Sequence, residues 1–267
     1  MTGSDATPEN EGSMKTLTMT AVIVAMLMAY PMRSSAALDP EQRKSIGSMT
    51  VGELQTAADE ARNQKDYEQA IEYLQIAIRK EPKNELLYNK MGMTKWKKGD
   101  PRSARSDFQR ATKLNPKYAE AFNNIGALDY TQNDLRSSVK FFKKAVALEE
   151  TRATFHVNLG AAWFAQNKVD RAIAEYTRAL QLDPQVLINS ARAGIVAQIA
   201  SPEERARYAY MLAKIYAQRG EVEDCLRCLK MAKEEGYRDL ANVYKDQEFA
   251  SLRHDVRLSE VVPPPSK

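Results

Sequence analysis

The chain has 267 residues, of which 43% are hydrophobic and 28% are charged, so a packed core is available and disorder throughout is excluded. Glycine and proline number only 11 each, which is few for a chain of many short strands and favours helix. The net charge is +4, and no long run of Lys and Arg is present, so we expect no nucleic-acid partner.

Residues 1–37 have the pattern of an N-terminal extension and a signal peptide. Lys15 precedes an apolar run over 17–30, which is followed by Pro31 and the small residues at 34–37. A basic start, an apolar stretch and a small-residue exit are typical of secretory signals. An uncleaved anchor is the alternative, although a spanning helix needs about 20 apolar residues. We expect an exported protein, periplasmic or secreted if bacterial, that meets a membrane only through an uncleaved anchor.

Residues 38–50 are predicted to be a linker, and helix-start signals follow it. Thr50 and Glu53 form the pattern of a capping box, which predicts that a helix opens there. Ser201 followed by Pro202 and two glutamates predicts another helix start near the C-terminal third.

Between these signals the sequence repeats with a period of 34 residues. Four sets of small or large apolar residues recur at this spacing, and prolines mark the repeat ends. The four sets are Ala58, Gly92, Gly126 and Gly160; Ala70, Ala104, Ser138 and Ala172; Leu74, Phe108, Phe142 and Tyr176; and Ala77, Ala111, Ala145 and Ala179. The prolines are Pro82, Pro116 and Pro184, with Glu150 in the remaining slot. The agreement indicates four repeats, at 51–84, 85–118, 119–152 and 153–186.

The period and the residue types resemble the tetratricopeptide-repeat (TPR) family, whose repeat is a helix–turn–helix. The resemblance implies an all-α fold, a right-handed superhelical TPR solenoid. Small residues in helix A and helix B let the two backbones approach, and the large residue fills the remaining space. Proline ends helix B because its ring clashes with the preceding turn.

Beyond residue 186 the register is interrupted. We predict a spacer helix at 187–205, a fifth TPR-like pair at 206–239, a C-terminal cap at 240–261 and a disordered tail at 262–267. The fifth pair is indicated by residues at repeat positions: Leu212, Ala213, Tyr216, Cys225, Leu229 and Ala232. A cap is expected because the open end of a solenoid exposes core.

The resemblance implies that helix A lines the inner face through positions 2, 5, 6, 9, 12 and 13 of each repeat. In repeats two to four these positions hold aromatic residues flanked by asparagines. The expected partner-binding residues are Asn89, Met93, Trp96, Asn123, Asn124, Tyr130, Asn158 and Phe164. Aromatic area and amide hydrogen bonds suit an extended segment of another protein. The alternative is that these residues serve packing between repeats. Some TPR proteins bind a C-terminal carboxylate through a set of Lys, Arg and Asn residues, the carboxylate clamp. Only Asn124 matches that set, so we expect no carboxylate clamp in this chain.

No pattern indicates a catalytic site, a metal or a cofactor. His156 takes a helix-packing position and His254 lies in the cap, where we expect it to be exposed. Cys225 and Cys228 form a C-x-x-C motif, but no histidine follows it and no second pair exists for zinc. Cys225 takes the small-residue position of helix B, which we place well past the helix start near 220–221. We interpret both thiols as structural.

These observations predict an exported, non-enzymatic TPR scaffold or adaptor that holds a protein or peptide segment in its inner groove. Two alternatives remain. One is a periplasmic thiol–disulfide protein that uses Cys225 and Cys228. The other is a subunit of a cell-envelope complex that binds through the outer face of the array.

Overall fold

The computed structural model describes residues 46–187 and 201–264. The predicted signal peptide therefore lies outside the described residues, as does most of the predicted spacer helix. The chain divides into two units, Met1–Met49 and Thr50–Lys267. Of the first unit only residues 46–49 are described, and 46–48 are helical.

The described part of the second unit consists of helices joined by turns, with no strand, which confirms the predicted all-α solenoid. The long helices are α1 (Val51–Asn63), α2 (Tyr67–Lys80), α3 (Glu85–Lys98), α4 (Pro101–Leu114), α5 (Ala119–Thr131), α6 (Leu135–Leu148), α7 (Ala153–Ala165), α8 (Val169–Leu182), α9 (Pro202–Gln218) and α10 (Val222–Glu234). Two 3₁₀ segments, Leu240–Tyr244 and Gln247–Leu252, and the short helix α11 (Val256–Val261) follow. None of the described helices is both long and apolar enough to cross a membrane.

The long helices form five stacked hairpins. Each odd-numbered helix packs along the even-numbered helix that follows it, and each even-numbered helix contacts the first helix of the next hairpin. The contact of α8 with α9 continues the stack from the fourth hairpin to the fifth. Helix A of each repeat is therefore the odd-numbered helix and helix B the even-numbered one.

The two predicted helix starts are present. Thr50 and Glu53 form a capping box ahead of α1, and Ser201 and Glu204 form one ahead of α9. Since α9 begins at Pro202, the last four residues of the predicted spacer belong to the first helix of the fifth pair.

The closest approach inside each hairpin is made by two side chains of complementary size. In the three central hairpins a glycine faces a buried aromatic ring, in the pairs Gly92–Phe108, Gly126–Phe142 and Gly160–Tyr176. A Cβ on Gly92 would lie 2.6 Å from the Phe108 ring and 3.0 Å from the carbonyl oxygen of Ala104. In the first and fifth hairpins the same positions hold alanine and leucine, in the pairs Ala58–Leu74 and Ala213–Leu229. Where alanine replaces the glycine of helix A, the smaller leucine thus replaces the aromatic ring of helix B.

The turn inside each hairpin passes through one residue in the left-handed region, with φ between 60° and 95°. These residues are Lys65, Gly99, Asn133, Asn167 and Gly220. Glycine and asparagine adopt this conformation with little strain, which explains four of the five choices. The next residue opens helix B, as Asp100 does when its carboxylate accepts the N–H of Ser103 at 3.0 Å.

The C-terminal segment covers the end of the array. Its buried residues belong to the same core as α9 and α10: Val243, Phe249, Leu252, Leu258 and Val262. Val262 is only 3% exposed, and its carbonyl oxygen accepts the hydroxyl of Tyr244 at 2.6 Å. The packed region therefore includes 262, the first residue of the predicted tail, while residues 265–267 lie outside the described part of the chain.

Replacing Gly92 by alanine should lower the free energy of unfolding by about 1–3 kcal/mol, because the new methyl group overlaps the buried Phe108 ring. Adding Phe108→Leu should recover part of that loss, since the double variant recreates the alanine–leucine pair of the first hairpin. Urea denaturation of the two single variants and the double variant measures the coupling.

Gly52→Ala is the control for this cycle. Gly52 lies in α1 with no atom within 4 Å of an added Cβ, so this variant should be at least as stable as the parent. Strictly additive losses in the Gly92/Phe108 cycle would contradict the size-complementarity account.

Candidate functional site

The structure places the eight predicted groove residues along the helix A faces, but none of them is fully exposed. Asn89 and Phe164 are buried, at 1% and 8% exposure. The other six are half-buried: Met93, Trp96, Asn123, Asn124, Tyr130 and Asn158. A partner could therefore reach parts of these side chains, and the remainder is engaged inside the protein.

The asparagines connect successive repeats. The amide of Asn124 donates to Oδ1 of Asn89 at 2.8 Å, and the amide of Asn158 donates to Oδ1 of Asn123 at 2.8 Å. The amide of Asn89 also donates to the hydroxyl of Tyr118 at 3.2 Å. Both asparagine–asparagine bonds use the amide nitrogen of the later residue, and the side-chain oxygens of Asn124 and Asn158 make no hydrogen bond within the described residues. These two oxygens remain available to accept N–H groups from the backbone of a bound segment.

The aromatic residues also pack between repeats. Trp96 lies against the cluster that contains Phe108, and Tyr130 lies against the core that continues into α9. The ring of Phe164 meets the ring of Tyr208 edge to face, with centroids 5.6 Å apart. Because α9 covers it, Phe164 presents little surface to a ligand. Packing between repeats, the alternative role of these residues, therefore buries most of the Phe164 surface.

A cavity of about 280 Å³ lies at the C-terminal end of the same face. Helix α9 contributes Arg207, Tyr210, Met211 and Lys214 to its wall. Counted from residue 206, these are positions 2, 5, 6 and 9 of the fifth pair. Phe164, at position 12 of repeat four, completes the row. The cavity therefore belongs to the inner face.

Sequence reasoning missed these residues of α9. Inner-face positions are assigned from the sequence only in the first four repeats, where the 34-residue register is unbroken. Applying the same positions to 206–239 would have found the four residues. No sequence signal indicates the opposite wall, which the C-terminal segment supplies with Asn242 and Asp246.

The two cations of the cavity are in different electrostatic states. Lys214 is paired with Asp246 at 2.8 Å and with Glu248 at 3.4 Å. Burial lowers the pKa of Lys214, but the hydrogen bond and charge of Asp246 outweigh this and raise the pKa above its usual value. The guanidinium of Arg207 lies 5.5 Å from the Phe164 ring centroid and donates to the side-chain oxygen of Asn167. Arg207 forms no ion pair with any described residue, so its charge remains available to an anionic group.

The cysteine motif is placed differently from the sequence-based expectation. Helix α10 begins at Val222, so Cys225 is its fourth residue and lies in the first turn, not well past the start. A helix N-terminus can stabilise a thiolate. Here both thiols are buried and not joined by a disulfide, and burial raises the pKa of each to about 12. The protonated state therefore follows from burial, despite the position in the helix.

His156 is a packed side chain. It is 4% exposed, with Nδ1 at 2.7 Å from the carboxylate of Glu175 and Nε2 at 2.9 Å from the carbonyl oxygen of Glu150. Both ring nitrogens are thus occupied by contacts inside the fourth repeat and its entry turn. His254 is exposed in the C-terminal segment. Over the described ranges 46–187 and 201–264, no group of three or more His, Cys, Asp or Glu residues could hold a metal ion.

Sequence profiles for the tetratricopeptide repeat match residues 55–84, 89–152 and 153–186. The chain belongs to the tetratricopeptide-repeat family. The matches fall on the first four hairpins, and the fifth hairpin extends the TPR array in the structure. No curated protein sequence matches this TPR chain.

Solved TPR structures resemble the fold. PilF of Pseudomonas aeruginosa is 16% identical, with a TM-score of 0.52 over 80% of this chain and 93% of PilF. MamA is 18% identical, with a TM-score of 0.48 over 74% of this chain and 95% of MamA. A TPR protein of Thermus thermophilus is 18% identical, with a TM-score of 0.48 over 79% and 98% of the two chains. At these identities the likeness concerns the fold alone.

Neither thiol should react with an alkylating reagent in the native protein at pH 8, because a thiol pKa of about 12 leaves almost no thiolate. The free energy of unfolding should fall as pH rises above about 9. The unfolded thiols, with the ordinary pKa of 9.0, then lose their protons before the folded ones do. Alkylation followed by mass spectrometry, and urea denaturation at pH 8 to 11, measure these effects.

A Cys225→Ala, Cys228→Ala variant is the control for the pH dependence. Its stability should fall less over the same range, since the remaining dependence comes from the buried tyrosines. Rapid alkylation of either native thiol at pH 8 would show that the buried arrangement does not persist in solution.

Proposed function

We propose that this TPR protein is an exported, non-enzymatic scaffold that binds a segment of another protein along its inner face. The observation that carries the proposal is the cavity at the C-terminal end of that face. It lies at inner-face positions of two adjacent hairpins, and it presents one cation, Arg207, that has no carboxylate partner among the described residues. The half-buried asparagines Asn123, Asn124 and Asn158 lie at inner-face positions of the two hairpins that precede α9.

The chemistry of the cavity suits one or two side chains of a peptide. Its volume of about 280 Å³ is small for a cofactor but adequate for a side chain. Met211 and Tyr210 offer an adaptable apolar wall, and Arg207 can bind a carboxylate through two parallel hydrogen bonds. We therefore expect the bound segment to carry an apolar residue next to an acidic one. The asparagine oxygens are then placed to accept N–H groups of the segment's backbone.

Export is the part of the proposal that rests on residues 1–37 alone. The basic, apolar and small-residue parts of that segment support cleavage near residue 37. N-terminal sequencing of the mature protein tests it, and retention of the apolar run in the released protein would contradict it. The thiol–disulfide alternative is disfavoured by the burial of both thiols. The outer-face alternative is compatible with the structure and concerns a different surface.

Arg207→Glu should weaken binding of an inner-face peptide about tenfold or more, because it replaces the available cation with a repelling charge. Peptides are first selected from a random library displayed on phage, using residues 50–267 as bait. The affinity of the selected peptides for each variant is then measured by fluorescence anisotropy.

Arg238→Glu is the matched control, since it makes the same charge change at an exposed residue outside the cavity. This variant should bind within about twofold of the parent. Selected peptides that bind equally well to Arg207→Glu, and lack the acidic–apolar pair, would remove the cavity as the binding site. Arg207→Glu is a better test than the double variant Trp96→Ala, Tyr130→Ala, because the double variant also removes packing between repeats.

A further inference from the structure

The helix B faces of the second and third hairpins carry an unusual charge. Helix α6 contains four basic residues and no acidic residue. Helix α4 contains four basic residues and one acidic residue, Asp107, which is paired with Lys95 at 2.7 Å. By contrast, the acidic and basic residues are equal in number in α2 and in α8. The positive charge is therefore local to two of the hairpins.

The repeat brings these cations to one surface. Arg102 and Arg136 are 34 residues apart, as are Arg110 and Lys144, so each pair occupies the same position on its helix. The ring of Phe141 in α6 packs against the cluster that includes Phe108 of α4, which places the two hairpins side by side. The basic ridge, as we name this surface, consists of Arg102, Arg110, Lys113, Arg136, Lys140, Lys143 and Lys144, all of them exposed.

The cations of the basic ridge are not neutralised by the protein. None of the seven forms an ion pair with a residue in the described ranges, whereas Arg105 of the same helix is paired with the buried Asp129. Among the carboxylates close to them in sequence, Asp100 and Asp134 cap α4 and α6 by accepting backbone N–H groups. Seven exposed charges of one sign repel one another, and an acidic partner would relieve that repulsion.

The form of the ridge distinguishes among anionic partners. The Phe122 and Phe141 rings stack on each other at 6.4 Å, and the ammonium of Lys144 lies 3.9 Å from the Phe122 centroid. The ammonium of Lys140 lies 5.6 Å from the Phe141 centroid. The rings are thus occupied and offer no platform on which a nucleic-acid base could stack. No large apolar residue of α4 or α6 is exposed, so this surface offers no side chain that would enter a bilayer.

We infer that the basic ridge is a second binding surface, and that it takes a carboxylate-rich segment of a partner protein. The cations of α4 and α6 would form ion pairs with the carboxylates of the segment, and no deep pocket is needed. Such contacts contribute modestly to affinity and strongly to the association rate, and salt weakens them. This inference does not depend on the inner-face cavity. A TPR array with both surfaces could hold two segments at once, one on each side of the helix layer.

The test uses a fluorescein-labelled peptide of twelve residues that alternates glutamate and serine, with a glutamine–serine peptide as its neutral match. Residues 50–267 should bind the acidic peptide, and raising NaCl from 50 to 200 mM should weaken binding severalfold. The triple variant Arg102→Glu, Arg136→Glu, Lys143→Glu should lose about tenfold or more in affinity. These three side chains make no ring contact or ion pair with any residue that the structure describes, and circular dichroism melting verifies that the variant folds.

The matched control is the triple variant Lys230→Glu, Arg238→Glu, Lys245→Glu, in which three exposed cations of the C-terminal region are reversed. It changes the net charge equally and should bind within about twofold of the parent. The ridge variant should keep its affinity for the peptides selected on the inner face within about twofold, which separates the ridge from the inner-face cavity. Equal losses in the two triple variants would show attraction by net charge alone and overturn the inference. So would binding of duplex DNA or phosphatidylglycerol vesicles by the ridge without binding of the acidic peptide.

Discussion

The approach of two helix backbones inside each hairpin is the constraint on which the rest of the structure depends. A glycine in helix A leaves space that a buried aromatic ring of helix B fills, and in the outer hairpins alanine and leucine divide the same volume differently. Because this packing repeats every 34 residues, each later position of the repeat also meets the same kind of surroundings in every hairpin. The position of a residue within the repeat thus predicts which face of the array it lies on, and the same packing stabilises each hairpin.

That regularity explains why the inner face is mostly packed within repeats two to four. Asparagine amides at position 6 donate to asparagine oxygens at position 5 of the preceding hairpin, and the aromatic rings pack between repeats, so most of these groups have partners before any ligand arrives. The regularity is broken between residues 187 and 201, where the register shifts and the fifth hairpin joins the stack. A cavity remains at this junction, and the C-terminal segment forms its far wall. The binding site that we propose is therefore a consequence of the interruption in the repeat.

Charge follows the repeat in the same way as shape. Four of the seven residues of the basic ridge form two pairs at equivalent positions on α4 and α6, and stacking of the hairpins places the seven cations on one exposed surface. The cysteine motif shows the opposite relation between sequence and environment. Its position in the first turn of α10 would favour a thiolate, and burial in the core outweighs that position. In both cases the surroundings created by packing decide the chemistry of the side chain.

The period of 34 residues, the small residues at fixed positions and the helix-start signals at Thr50 and Ser201 were sufficient to predict the fold and the starts of α1 and α9. These features act locally or through the adjacent helix, so a linear pattern contains them. The exposure of Asn89 and Phe164, the cavity at Arg207 and the basic ridge could not be predicted in this way. Each depends on which residues of another hairpin or of the C-terminal segment lie across from it. Only the stacking of the hairpins determines those neighbours, since burial and charge at a site are sums over groups that are distant in sequence.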